Sequence, residues 1–442
     1  MVEQPTREGL IRAIRRWDLV AIAINSVIGA GIFGLPSEVF GRIGVYSLLA
    51  FVVCGAAVAL IVMCFAEVSS RFAETGGPYL YAREAFGPLI GFEVGWLMWV
   101  ARLTAFAANC NLFIAYFAYF APWAAAGAGR AITITVIVTT LAAVNLAGVR
   151  DAAIVSNAFT VGKLVPLALF VIAGAFFIDP AAYATGDLPA FGDFSASVLL
   201  LVYAFSAFEM AVINAGEARN PRRDMPPALL VAIAVVGVVY LLIQAVAIGT
   251  LPGLGTAARP LTDASSRFMG PVGAAIITAG ALVSILGNLN VTLLVAPRLP
   301  FAMAQRGELP AVFAATHRRF HTPHTAILVT AAAVLVLTLS GTFVYAATIS
   351  VIARLLSYAA TCAALPVFRR RADAPEALFR APAGVAVSVV ALVLVAWLLS
   401  NSTATQARDA AIAAAAGVVL YAMSRLAEAK RRRPAPTTKA PC

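Results

Sequence analysis

Charge is what this chain has least of: Asp, Glu, Lys and Arg make up 12% of its 442 residues, against about a quarter in soluble domains. So few charges cannot clothe a water-facing surface, which excludes an ordinary soluble domain. Cysteine is scarce too, with Cys54, Cys64, Cys110 and Cys362 inside apolar segments and Cys442 at the end of the tail. A disulfide framework is excluded, and the cysteines read as small buried hydrophobes. The three histidines, His317, His321 and His324, all fall in "THRRFHTPH". Histidines four apart can hold zinc on one helical face, but Pro323 interrupts this segment and no Cys or acid stands nearby, so no metal is expected. No GK[ST] follows a glycine-rich loop, and neither "GLGTAARP" nor the "GAG" run follows a strand. An ATP-driven pump is therefore unsupported, no Ser, His and Asp arrangement argues for an enzyme, and no cofactor is expected.

Apolar sequence is what is abundant. The chain is 61% hydrophobic, its mean hydropathy is +0.90, and runs of about 20 apolar residues recur, each able to cross a hydrocarbon core of roughly 30 Å as a helix. The short polar alternation of a membrane barrel is missing. Runs and breakers together predict an all-α integral membrane protein with about twelve helices, centred near residues 30, 57, 105, 140, 165, 203, 239, 284, 333, 356, 391 and 416. The first run follows "RAIRRWD" but is long and has no small-residue cleavage site, so it is a span and not a signal peptide. Three parts are expected: an N-terminal segment (1–16), a transmembrane domain (17–425) and a basic tail (426–442).

With the N-terminus in the cytoplasm, about 24 basic residues fall inside, and Arg42, Arg130, Arg259, Arg267 and Arg408 fall outside. That bias predicts cytoplasmic N- and C-termini. It also accounts for the net charge of +11 without a nucleic-acid partner. The tail "AKRRRPAPTTK" reads as an orientation signal, with contact to anionic membrane lipids as the alternative. The longest inside connections are 70–86 and 298–324.

The stretch "NSVIGAGIFGLP" breaks the first span. Gly29, Ala30 and Gly31, one turn after Asn25 and Ser26, free backbone groups that must then find protein, water or ligand. The N-terminus of one half-helix suits a carboxylate and the C-terminus of the other an ammonium, so a zwitterion matches the pair; close helix packing through small residues is the alternative. The sixth span tilts the balance: "LVYAFSAFEM" sets Ser206 and Glu209 in apolar sequence, five spans further on. Two repeats of five helices meeting at a midplane site are expected.

Several segments resemble the amino acid permeases of the amino acid, polyamine and organocation (APC) superfamily. They are "IGAGIFGLP", "AEVSSRFAETGGPYLYAREAFGP", "NLAGVRDAAIVSNAFTVGKLVPL", "YAFSAFEMAVINAGEARNPRRDMPPAL" and "APRLPFAMAQRGELPAVFAATHRRFHTP", in the expected order. The resemblance implies a LeuT-like fold: an inverted five-helix repeat (spans 1–5 and 6–10) plus two helices, with a bundle of spans 1, 2, 6 and 7 moving against a scaffold. It also implies a plasma (inner) membrane location. Carried onto this sequence, it places the substrate carboxylate on the backbone of Ile28, Gly29, Ala30, Gly31 and Ile32. The ammonium would meet carbonyls between Tyr203 and Phe208, including Ala204, with Phe205 and Ser206 at the substrate side chain. Where the family often has Gly, this chain has Ala207, so a smaller break is expected in the sixth span.

Four membrane charges remain. Lys163, about ten residues into the fifth span, is either a proton carrier or a fixed cation tying the first and eighth helices. "FTVGKLVPL" resembles the family segment whose lysine stands where sodium-coupled relatives bind sodium, which implies no sodium dependence and permits proton coupling. Arg102 and Arg354 stay charged and either cap carbonyls of a broken helix or help bind a substrate anion. Glu209 is the acid at comparable depth, a partner for one of them or a gating group; Glu67 and Glu93 fall near helix ends. Three cations facing one acid disfavour a dibasic substrate. The expected function is secondary active transport of amino acids, neutral ones first and acidic ones second, coupled to protons. An exchanger without net proton movement is the alternative, and a transport-like sensor the alternative from another class. A channel is disfavoured, since no filter loop or ring of pore acids is present.

Overall fold

In lipid no water satisfies the backbone, so apolar runs of this length resolve into helices. A computed structural model describes residues 14–147, 152–184, 186–317, 320 and 322–432, with the backbone alone described at 152–162, 214 and 427–432. Most of the expected N-terminal segment (1–16), the tail beyond 432, Arg150, Arg318, Arg319, His321 and Cys442 lie outside the described residues. Among the described residues every extended element is helical, and β pairing is limited to one bridge, Ile14 with Ala218.

The helices are α1 (Arg16–Val27), α2 (Gly31–Ile43), α3 (Ser47–Ser69), α4 (Pro78–Phe86), α5 (Pro88–Phe117), α6 (Gly127–Ala147), α7 (Ala152–Gly174) and α8 (Phe191–Phe205). Then follow α9 (Glu209–Ile213), α10 (Pro221–Thr250), α11 (Pro260–Val295), α12 (Arg298–Gln305), α13 (His324–Ser340), α14 (Phe343–Arg370), α15 (Gly384–Ser400) and α16 (Ala404–Arg432). Seven stretches of helix among the described residues are long and apolar enough to cross a membrane, and four shorter apolar helices accompany them. Each of the twelve centres read from sequence falls within a helix, except the first, which lies in the break between α1 and α2. In α11, Gly270 at φ 66° before Pro271 bends the helix, because only glycine enters that conformation without strain.

α10 packs on α1 and α3, and α8 on α2 and α3; α5 packs on α11, α13 and α14, and α14 reaches across to α3 and α8. At the end of the molecule bearing the N-terminus, arginines tie the connections together. Arg16 Nε donates to Asp224 at 2.8 Å, Arg222 Nε to the Ser70 carbonyl at 3.0 Å, and Arg71 Nη1 to the Pro375 carbonyl at 2.8 Å. Buried Glu67 accepts both forks of Arg369, at 2.8 and 2.6 Å, and the Ala381 amide at 2.9 Å.

The two long connections form the short helices α4 and α12 and are clamped to each other. Arg83 Nη1 donates to Glu308 at 2.6 Å, while Tyr79 takes a hydrogen bond from Arg306 at 2.8 Å and gives one to Glu308 at 3.0 Å. Burial, and then the neighbouring Glu308 carboxylate, push the Tyr79 hydroxyl above the ordinary tyrosine range, so it stays a neutral donor. His317 and His324 meet edge to face with ring centroids 5.9 Å apart. Cys54, Cys64, Cys110 and Cys362 are buried and unpaired.

Candidate substrate-binding site

The first span is broken at Ile28, Gly29 and Ala30, and α2 restarts at Gly31, so Ile32 already belongs to its first turn. The sixth span is broken at Ser206, Ala207 and Phe208. Here the sequence expectation needs correcting: Ala207 does not shrink this break but carries it, in the left-handed region at φ 77°. A Cβ there costs about 1–2 kcal/mol. The surroundings over-determine the turn. Ser206 Oγ donates to the Tyr203 carbonyl at 2.8 Å, the Met210 amide donates to the Ala207 carbonyl at 3.1 Å, and the Phe208 ring lodges between Phe65 at 5.1 Å and Tyr358 at 5.0 Å. Ala207→Gly is therefore expected to stabilise the protein by about 1 kcal/mol in detergent unfolding measurements. A loss of stability would mean that the methyl group is packed and not strained.

The two breaks face one narrow cavity of about 30 Å³. Span 1 contributes Ser26, Val27, Gly29, Ala30 and Gly31; span 6 contributes Tyr203, Ser206 and Ala207; α5, α11 and α14 add Ala105, Asn109, Asn288 and Arg354. Small residues here are a geometric necessity. A Cβ on Gly31 would stand 2.8 Å from the Ala204 Cα, and one on Gly29 would stand 2.9 Å from Asn288 Nδ2.

The freed carbonyls mostly find protein donors. Lys163 Nζ donates to the Asn25 carbonyl at 2.5 Å and to the Ile28 carbonyl at 2.7 Å. The Tyr240 hydroxyl bridges the two breaks, lying 3.0 Å from the Val27 carbonyl and 3.2 Å from that of Ala204. By contrast, α2 begins at the cavity wall with Gly31, and although its Phe33 amide turns back on the Ala30 carbonyl at 3.0 Å, the start of a helix is an arrangement that favours an anion.

Of the residues expected at the site, Gly29, Ala30, Gly31, Tyr203 and Ser206 line the cavity, while Ile28, Ile32, Ala204, Phe205 and Phe208 are buried beside it without lining it. Phe205, expected at the substrate side chain, instead packs on Tyr240 at 5.3 Å and on Phe51 at 6.4 Å. Two residues along a helix are about 200° apart, so with Tyr203 facing the cavity, Phe205 faces α3 and α10. Asn109 and Asn288 were missed. The Tyr203 hydroxyl donates to Asn109 Oδ1 at 2.5 Å, and Asn109 Nδ2 donates to Asn288 Oδ1 at 2.8 Å, a polar chain across three spans. Amides in apolar runs, as in "FAANCNLF" and "ILGNLN", were the available signal.

Lys163 also lines a second cavity with Asn25, Ser26, Ser284 and Asn288, where Asn25 Oδ1 and Ser284 Oγ have no partner among the described residues. Ser26 and Asn288 wall both cavities. Arg354 does not cap helix carbonyls; it forms a buried ion pair with Glu209, whose other oxygen accepts from the Tyr358 hydroxyl at 2.6 Å. Nor does Arg102 cap carbonyls: its Nη1 lies 2.7 Å from Met210 Sδ, and its Nε and Nη2 have no partner among the described residues.

A long chain of apolar helices, broken twice around one polar cavity, matches the sequence profile described as "Amino acid permease" over residues 14–422. The chain belongs to the amino acid permease family. Among its relatives, the methylthioribose transporter of Bacillus subtilis is 27% identical over 438 residues, covering 95% of this chain and 94% of that protein. The serine/threonine exchanger SteT of the same organism is 27% identical over 386 residues, covering 85% and 87%. An uncharacterized transporter of Mycobacterium bovis is 31% identical over 334 residues, covering 74% and 73%. The permease is thus a multi-pass membrane transporter and not an enzyme.

Proposed function

We propose that this permease moves small neutral amino acids by alternating access, with the cavity between the two helix breaks as the substrate site. The observation that carries the reading is the pairing of helix ends across that cavity. The amides at the start of α2 suit a carboxylate, and the carbonyl end of α8 suits an ammonium. Tyr203, Asn109 and Asn288 offer hydrogen bonds to a short polar side chain, and Gly29, Gly31, Ala30 and Ala105 leave little room for a large one. Among the described residues no acid lines the cavity, and the one charged wall residue, Arg354, opposes a cationic side chain.

In this reading spans 1–5 and 6–10 are inverted repeats within a twelve-span domain (17–425). Supporting it, the two breaks fall five spans apart and meet at one site. The arginine bias supports a cytoplasmic N-terminal side, and membership of the permease family supports a plasma membrane. The Glu209–Arg354 pair ties the inner half of span 6 to α14 and acts as a gate. Lys163, bound to the break of span 1 and bordering the second cavity, couples substrate movement to protons. Exchange is the second reading, favoured by the likeness to a serine/threonine exchanger.

Purified protein in liposomes, given labelled amino acids, tests these readings. Serine, threonine or alanine is expected to accumulate under an inward proton gradient and to ignore a sodium gradient. Uptake only with internal amino acid would select exchange. Saturable uptake of arginine or lysine, untouched by neutral competitors, would reject the substrate assignment.

A further inference from the structure

Arg102 is left over once the site is accounted for. It is 4% exposed, and it precedes Ala105 and Asn109 by three and seven residues on α5, so it shares their cavity-lining face, one turn nearer the N-terminal side of the molecule. It borders α9 through Met210, a weak acceptor that leaves two of its three nitrogens unpartnered among the described residues. Around it stand Glu209, Arg354 and Tyr358, close enough to interact electrostatically. Both Glu209 oxygens are taken, one by Arg354 and one by Tyr358. Two guanidinium groups thus share one carboxylate, and one fork is left with a free donor edge. A guanidinium stays charged, and an uncompensated charge at this depth is costly enough that such residues mark ion or substrate paths.

We propose that Arg102 forms an anion station just inside the substrate cavity, between α5 and α9, which takes a carboxylate in the passage between cavity and cytoplasm. This rests on the transport reading above and adds a second, inner position to it. The planar fork pairs with a carboxylate through two parallel hydrogen bonds, and the substrate's own α-carboxylate supplies one. A small inorganic anion such as chloride is the other source of the same chemistry. Met210 holds the fork while the station is empty and, being a thioether, yields readily to an oxyanion.

The test compares wild type, Arg102→Gln and Arg102→Lys in oriented proteoliposomes, with half-saturating serine measured from each side. Arg102→Gln is expected to raise the value on the N-terminal side by about tenfold, with less than about twofold change on the other. Arg102→Lys keeps the charge and loses the fork, so a smaller shift on the same side is expected. Equal changes on both sides, or none, would overturn the station and leave Arg102 structural. Replacing chloride with gluconate identifies the source: a wild-type rate indifferent to chloride assigns the substrate carboxylate, and a chloride dependence lost in Arg102→Gln assigns the halide. If the wild type carries no amino acid, the transport reading fails on its own. The station is then read from thermal unfolding of purified protein with added acetate or chloride. Stabilisation seen in wild type and weakened in Arg102→Lys supports the site, and its absence from wild type overturns it. Because Arg102→Lys keeps the buried charge, both readouts survive even where Arg102→Gln fails to fold.

Discussion

Lys163→Ala is expected to reduce proton-driven accumulation of substrate by at least about tenfold and to destabilise the protein. The amine holds the Asn25 and Ile28 carbonyls at the break of span 1. Each buried acceptor left without a donor costs about 1–3 kcal/mol, so the alanine variant should lose roughly 2–6 kcal/mol. Two effects are then mixed in one variant, and Lys163→Gln separates them. The amide still donates to a carbonyl but cannot take up or release a proton. Loss of accumulation with counterflow retained in Lys163→Gln marks Lys163 as the coupling group. Accumulation equal to wild type in a folded glutamine variant would leave it as a carbonyl anchor and reject the proton role.

Glu209→Ala carries the second large effect. Glu209 is 1% exposed, its oxygens are held by Arg354 and Tyr358, and Arg102 lies alongside. Removing one partner of a buried pair costs about 3–5 kcal/mol, because the remaining charge is left in a poor solvent, here beside a second uncompensated guanidinium. Transport should fall to background. Glu209→Gln keeps a partner for Tyr358 and should be milder, and Glu209→Gln with Arg354→Gln should cost less than the two single changes together. A coupling energy near zero in that cycle would mean that the contact contributes little and does not gate.

These two variants probe residues that the sequence could name but not place. Lys163, Glu209, Arg102 and Arg354 stand out as charges in apolar runs, because the bilayer penalises them wherever they point. Which one binds which is a matter of helix rotation and approach. Glu209 had two candidate arginines in the sequence, Arg102 and Arg354, and takes Arg354. Arg102 ends beside a methionine. Phe205 is the ring the sequence reading sets at the substrate side chain, yet helical phase turns it toward Phe51 and Tyr240 and turns Tyr203 toward Asn109.

The sequence by itself determined that the chain is a helical membrane protein and where its first span breaks. Apolar runs of membrane length leave the backbone no partner but itself, and a Gly-Ala-Gly triplet interrupts that pairing locally. The tertiary structure decided how the sixth span breaks and what meets at the cavity. At Ala207, propensity argues against a left-handed turn of about 1–2 kcal/mol, and packing overrules it. Held from both sides by Ser206 and Phe208, that turn closes a cavity whose asparagine walls come from spans nearly two hundred residues apart, a proximity that no local pattern encodes.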